Sequence, residues 1–437
     1  MGTIPVGGRL RPQAVNSAVV VCVCASIPGA AHAQDVPAPV FAQIAEQGGD
    51  EADRFVLKRE SDSEAQGVHV GSFVFRPNLE VSSLVDTNVY AGAPAQRDAA
   101  VTVKPFVGLD WRRQDTKFNG YAFASFSRYA KLTTEDSEQM AFGGTFEHRL
   151  SPTIKFRLQG EIGSYVEDRS AVFAETRSRT PVEYDRNFAN ASLAITSASL
   201  SIVPAFEVDR IGYKDNRLAS NPTTLLPQGS RSFLRMEPSL TLGYAISPAT
   251  SFYVGGSYND RTYDYQIPFN RDSTGYAVYG GVRFQPSPLT RLNLALGYMQ
   301  QNYHGALHDP KGLYAKASFD WTPTRTTLFN VTAQRDISET GNLAVGGSKR
   351  TQVSGQFTYE ATREVSVTGG VEWRHFSLPQ LKATADRTTL SAGMEYRVAR
   401  HVELFAKGER LFSRGDVVAT PVEYDRFRAQ VGIRIRL

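Results

Sequence analysis

From about His69 to Leu437, apolar and polar residues alternate with a period of two, segment after segment. Phe73, Phe75, Leu79, Val81 and Val85 fall on one parity, and Arg76, Asn78, Glu80 and Ser82 on the other. Phe156, Leu158 and Ile162 alternate with Lys155, Arg157, Gln159 and Glu161. Leu234, Met236, Leu240 and Leu242 alternate with Arg235, Glu237, Ser239 and Thr241, and Val365, Val367, Val371 and Trp373 with Ser366, Thr368, Glu372 and Arg374. A two-residue period puts successive side chains on opposite faces, so each segment predicts a strand with one apolar and one polar face. Tight-turn residues such as Ser247-Pro248-Ala249-Thr250 and Pro286-Ser287-Pro288 join some neighbours. Longer polar loops, such as Asp168–Asp185 and Ser338–Lys349, join the others.

Short and long connections that alternate define an up-and-down barrel. The pattern predicts an all-β, transmembrane, antiparallel barrel of about 18 strands, at roughly 20 residues per strand and connection, with both termini on the short-turn, periplasmic side. A water-soluble sandwich shares the alternation. These strands, however, run to about 10–15 residues, where soluble ones average five or six. None is apolar on both faces, and the last alternates from Phe427 to the final residue, Leu437, as a closing strand would. No connection is long or acidic enough to predict a constriction loop folded into the lumen.

The string TPVEYDR occurs at Thr180–Arg186 and again at Thr420–Arg426. At about 20 residues per strand, the copies begin the sixth and eighteenth strands and are equivalent wall positions. That places Tyr184 and Tyr424 at the outer membrane interface, in an aromatic girdle. The opposite rim has its own: Trp111, Tyr244, Phe284, Trp321, Tyr359 and Tyr396 each stand just before a short turn.

If the apolar face meets lipid, the lumen is lined by Arg76, Glu80, Lys155, Arg157, Glu161, Arg235, Glu237, Arg374, Arg397, Arg426, Arg428, Arg434 and Arg436. These residues either bond to one another and stiffen the wall, or line a hydrated, weakly selective conduit. The last strand is locally cationic, which favours anions or acidic sugars.

The N-terminus sets the compartment. Arg9 and Arg11 precede an apolar run, and Ala31-His32-Ala33 forms a cleavage site, so residues 1–33 predict a secretory signal peptide. Residues 34–67 are a polar, charged stretch expected to be a periplasmic linker or a plug, and the barrel takes 68–437. Cys22 and Cys24 both fall in the leader, which leaves the mature chain no thiol chemistry. Taking Arg9 and Arg11 from 48 basic residues leaves 46 against 44 acidic, a net of +2 that points to no nucleic acid. No apolar stretch after the leader reaches the about 18 residues of a membrane helix. His304 and His308 lie in a loop containing Gly and Pro, and His375 with Asp386 lacks a serine at triad spacing. We expect no catalytic residues, metal or cofactor.

Three stretches carry a resemblance. They are GVHVGSFVFRPNLEVSSLVDTNVYA (Gly67–Ala91), RLSPTIKFRLQGEIGSY (Arg149–Tyr165) and the two EYDR strand starts. Over nearly all of Val68–Leu437 the chain resembles the putative outer-membrane β-barrel porins of the second type, which often occur beside exopolysaccharide synthesis and export loci. The resemblance implies a Gram-negative outer-membrane channel that assists secretion of an exopolysaccharide or capsule. Its partners would be outer-membrane lipid and lipopolysaccharide, the barrel assembly machinery and a periplasmic polysaccharide export protein. One departure is Leu437, where such barrels usually end in Phe. The residues alone leave open a general porin for small solutes, a hydrolase acting at the rim, or a structural barrel.

Overall fold

The structure, a computed structural model, describes residues 67–266, 269–341, 343, 345–415 and 423–437. The expected leader, all but the last residue of the expected 34–67 linker, and Thr420–Val422 of the second repeat lie outside the described residues.

Eighteen long strands follow one another. They are β1 (Phe73–Asp86), β2 (Asp98–Arg113), β3 (Thr116–Tyr129), β4 (Ser137–Ser151), β5 (Ile154–Val166) and β6 (Glu183–Thr196). Next come β7 (Leu200–Tyr213), β8 (Phe233–Ser247), β9 (Thr250–Tyr263), β10 (Ser273–Ser287), β11 (Thr290–Tyr303) and β12 (Lys311–Thr324). Last are β13 (Thr327–Ser338), β14 (Ser348–Glu360), β15 (Val365–Leu378), β16 (Ala383–Ala399), β17 (Val402–Gly415) and β18 (Tyr424–Arg436). Each pairs antiparallel with the next, and β18 returns to pair with β1, so the sheet closes. The repeated string does begin the sixth and eighteenth strands.

The seam between β18 and β1 is short. It runs only from Asn78 opposite Arg436 to Asp86 opposite Arg428, and stops before the first residues of β1. There the chain ahead of β1 turns back on itself through Gly71, at φ 61°. A short strand, Val68–Val70, then pairs with Phe73–Phe75 along the edge that β18 does not reach. Only glycine adopts that φ without steric cost.

The two faces of the wall differ as the alternation requires. Outward-facing Phe142, Ile162, Val254, Val278, Leu296 and Val431 are all exposed. Inward-facing Glu80, Thr145, Glu161, Asp209, Glu403 and Arg434 are buried. An apolar outside around a polar inside is stable only where the outside meets hydrocarbon.

Candidate functional site: the barrel interior and its mouth

Ion pairs form across strands because the register sets opposite charges side by side on the inward face. At the closing seam, Glu80 of β1, Arg434 of β18 and Glu403 of β17 lie in one row. Arg434 is 2% accessible; its guanidinium meets Glu80 at 2.9 Å, Glu403 at 2.7 Å and Glu395 at 3.3 Å. Arg436 joins Glu403 at 3.2 Å, and Arg397 stands opposite Glu403 in the register. Elsewhere Arg76 pairs with Asp110, Lys155 and Arg157 with Glu147, and Arg374 with Glu372. Arg235 pairs with Glu207 and lies near Glu237 and Asp209. The sequence-predicted interior residues therefore fall into separate knots around the wall and not into one site.

Toward the loop end the interior fills. Glu161 accepts hydrogen bonds from the hydroxyls of Tyr121 and Tyr165. Tyr165, Tyr184, Tyr213, Phe233, Tyr263 and Ile211 form an apolar shelf inside the wall.

The loop from Glu167 to Val182 lies over this shelf and spans the mouth. Its Val172 and Phe173 are buried against Phe376 and Leu378 of β15 and Ala383 and Ala385 of β16, some ten strands away from its own base. Phe173 meets Phe376 edge-on, with ring centres 5.5 Å apart, a favoured aromatic geometry. Val345, from the loop between β13 and β14, packs in the same cluster. The spanning loop is tied down along its length. Asp168 takes Arg426 at 2.9 Å and Arg428 at 3.4 Å. Arg169 pairs with Glu135 at 2.8 Å and donates to Ser178 at 2.7 Å. The hydroxyl of Tyr424 donates to the Ser170 carbonyl at 2.9 Å and accepts from Arg387 at 3.1 Å. Glu167 pairs with Arg231, whose guanidinium also lies 4.2 Å from the Tyr213 ring centre. Burial opposes the charge on Arg231, but Glu167, Tyr213 and Glu175 together outweigh it and make that charge harder to remove.

A second inward anchor is Glu339, in the β13–β14 loop. Arg261 and the Tyr263 hydroxyl both bind its carboxylate, and Arg271, 3.4 Å from it, donates to the Thr340 carbonyl at 2.6 Å. Burial alone would raise the affinity of Glu339 for a proton. The two guanidiniums overcome that and hold its carboxyl below the usual range.

Two expectations need correction. The first is that no loop folds inward: residues 167–182 do, because the apolar run Ala171-Val172-Phe173-Ala174 within them buries itself on the opposite wall. The second concerns Tyr184 and Tyr424, expected at the lipid interface. Tyr184 is 2% accessible inside the barrel and packs on Tyr165 and Tyr213. Tyr424 points inward to Ser170 and Arg387. On β6, Tyr184 shares its face with the buried Arg186 and Phe188, while Glu183, Asp185 and Asn187 are exposed. At the other rim Tyr244, Phe284, Trp321, Tyr359 and Tyr396 stand exposed on the outer face, and Trp111 is partly exposed and stacked on Phe73. Trp321, Phe329, Phe357 and Tyr359 touch in sequence along that rim. His375 and Asp386 bond at 2.9 Å, but both belong to the outward face, away from the lumen.

A closed antiparallel barrel of eighteen strands, apolar outside and charged inside, is the architecture of an outer-membrane β-barrel. The chain belongs to the family described as putative beta-barrel porin 2, whose model matches residues 61–437. It is therefore an outer-membrane barrel porin of the Gram-negative envelope. No curated protein matches the chain in sequence. Among solved structures it is similar to Pseudomonas aeruginosa OpdK, determined with vanillate, at 11% identity and a TM-score of 0.43, covering 83% of this chain and 99% of that one. It is also similar to a BenF-like porin from Pseudomonas fluorescens Pf-5, at 10% identity and a TM-score of 0.43, covering 83% and 99%. For the copper transporter OprC the values are 11% and 0.45, covering 85% and 81%. Likeness at this level does not bear on what the barrel carries.

Proposed function

We propose that this porin is a loop-gated conduit for anionic carbohydrate and assists secretion of an exopolysaccharide or capsule. The observation that supports the anionic cargo is Arg283 of β10, which stands exposed on the inward face and makes no ion pair among the described residues, whereas the arginines of β18 are paired with carboxylates of neighbouring strands and of the spanning loop. A cation left unneutralised inside a narrow wall raises the local concentration of anions and lowers the barrier to their passage. The polysaccharide is what the family resemblance adds. In this reading the short turns and both chain ends face the periplasm, where a polysaccharide export protein would deliver polymer, and the long loops face outward. Lipid and lipopolysaccharide cover the outer wall, and the barrel assembly machinery inserts it.

Deleting the gene tests the reading directly. Surface polysaccharide should fall while polymer accumulates in the periplasm; unchanged output sinks the secretion role. A second reading, diffusion of small anionic solutes, is favoured by the 167–182 loop that narrows the mouth. Liposome swelling with sugars of increasing size separates the two, since a small-solute porin would admit only the smallest.

A further inference from the structure

The inner wall is not uniform. Around the seam, charges of both signs neutralise one another. Across β9–β12 the inward face carries, beside the charged residues Arg261, Arg291, Lys316 and Asp320, three tyrosines and the guanidinium of Arg283. Tyr279 of β10 and Tyr314 of β12 are stacked, with ring centres 5.0 Å apart and planes 24° from parallel. Tyr253 of β9 lies 6.4 Å from Tyr279. The guanidinium of Arg283 sits 4.8 Å from the Tyr253 ring centre. Arg283 is exposed to the lumen and makes no ion pair among the described residues.

The rings are fitted to the wall. A Cβ at Gly255 would come 2.6 Å from Tyr279 Cε2, and one at Gly281 would come 2.3 Å from Tyr253 Cζ. Each ring thus lies across the neighbouring strand, over a residue with no side chain. The Tyr253 hydroxyl is fixed as well, donating to Asn293 Oδ1 at 2.7 Å. The Tyr253 ring is buried and stands at 76° to that of Tyr279, its edge toward the stacked pair. Tyr279 and Tyr314 remain partly accessible.

Partly accessible rings beside an exposed cation suit one kind of ligand. The C–H face of a sugar ring is weakly apolar and electropositive, and it stacks on the electron-rich face of a phenol. A uronate carboxylate on a neighbouring sugar takes the guanidinium. We propose that Tyr253, Tyr279, Tyr314 and Arg283 form a binding strip on the inner wall for an acidic oligosaccharide. The inference rests on the reading of the barrel as a carbohydrate conduit, and it specifies the cargo as uronate-bearing. Ring pair and cation are separated along the strip by Tyr253, so a chain of sugars, not a single one, occupies it.

The test uses trigalacturonate, with maltotriose as the neutral control and benzoate as an aromatic anion. Binding to the purified barrel in detergent is read by calorimetry, and current block in planar bilayers is read separately. Every variant is first checked for the gel shift of a folded barrel. We expect trigalacturonate to bind and block, and maltotriose to do so weakly. Y279A with Y314A should weaken binding about tenfold. R283Q should weaken it by a similar factor and remove most of its salt dependence, since exposed charge attraction is screened. Full binding to the variant lacking both rings, equal binding of maltotriose, or preferential binding of benzoate would overturn the strip. A barrel that conducts ions but binds no trigalacturonate overturns the strip and leaves the channel standing. One that binds trigalacturonate in detergent but passes no current supports the strip and overturns the conduit.

Discussion

Phe173→Ala should release the tip of the spanning loop. In the closed arrangement the ring is buried with Phe376, Leu378, Ala383 and Ala385 on the far wall. Burying a phenylalanine side chain is worth about 1.5–3 kcal/mol, and an edge-on aromatic pair adds about 0.5–1.5 kcal/mol. Truncation therefore removes about 3 kcal/mol, which shifts the docked-to-undocked ratio by roughly a hundredfold, at about 1.4 kcal/mol per factor of ten. The base of the loop should stay put, because Asp168 and Arg169 keep their partners. Single-channel recording in planar bilayers is the assay. Phe173→Ala should raise mean conductance and current noise together, as a tip that leaves the opposite wall widens the mouth and moves. Phe376→Ala attacks the same contact from the other side and should give the same trace. The double variant should add little, because both changes delete one shared interaction. If the Phe173→Ala barrel, folded and inserted, gives a trace that superimposes on the parent's, the loop does not gate the pore.

Arg434→Ala leaves Glu80 and Glu403 without the guanidinium they share at the closing seam. Removing one partner of a buried pair costs about 3–5 kcal/mol, so the variant should lose its folded band on unheated gels at a markedly lower temperature. Because the folded Glu339 carboxyl is held below its unfolded value, its contribution is fully present above the ordinary carboxylate range and disappears as pH falls through the lowered value. Channels should thus become noisier only below about pH 4, and Glu339→Gln should show that noise at neutral pH too. Tyr424→Phe deletes one hydroxyl bridge to Ser170, worth about 1 kcal/mol, so it should raise the frequency of brief openings without changing open conductance. Brominated lipid should quench Trp321 strongly; a tryptophan put in by Tyr184→Trp, with the three native ones replaced, should escape it.

The strands were legible because each must present one face to oil and one to water, which leaves a period-two record in the residues. Strand number and order followed from that record and from the turn chemistry of Ser247-Pro248 and Pro286-Ser287-Pro288. The record fades toward the loop end. On β6, Glu183, Asp185 and Asn187 face outward beyond the apolar band, so both faces are polar there and tyrosine gives no clue to its side. Tyr184 was misplaced for that reason. The spanning loop obeys no period at all. Its one signal was Ala171–Ala174, four small or apolar residues within a charged connection, and what they pack against lies some two hundred residues further along the chain. The interior knots could be assigned to a face but not to partners, since register decides whether Arg434 meets Glu80 or a neighbour.

The uneven seam has a consequence for how the wall meets the bilayer. Where β18 ends, β1 would offer bare amide and carbonyl groups at the girdled rim of the wall, as an unpaired strand edge. Val68–Val70 doubles back to cover them, serving as a hem sewn along the one raw border of the cylinder. A protein cut to begin at Phe73 would keep all eighteen staves and yet have a frayed margin, open to pairing with a second barrel.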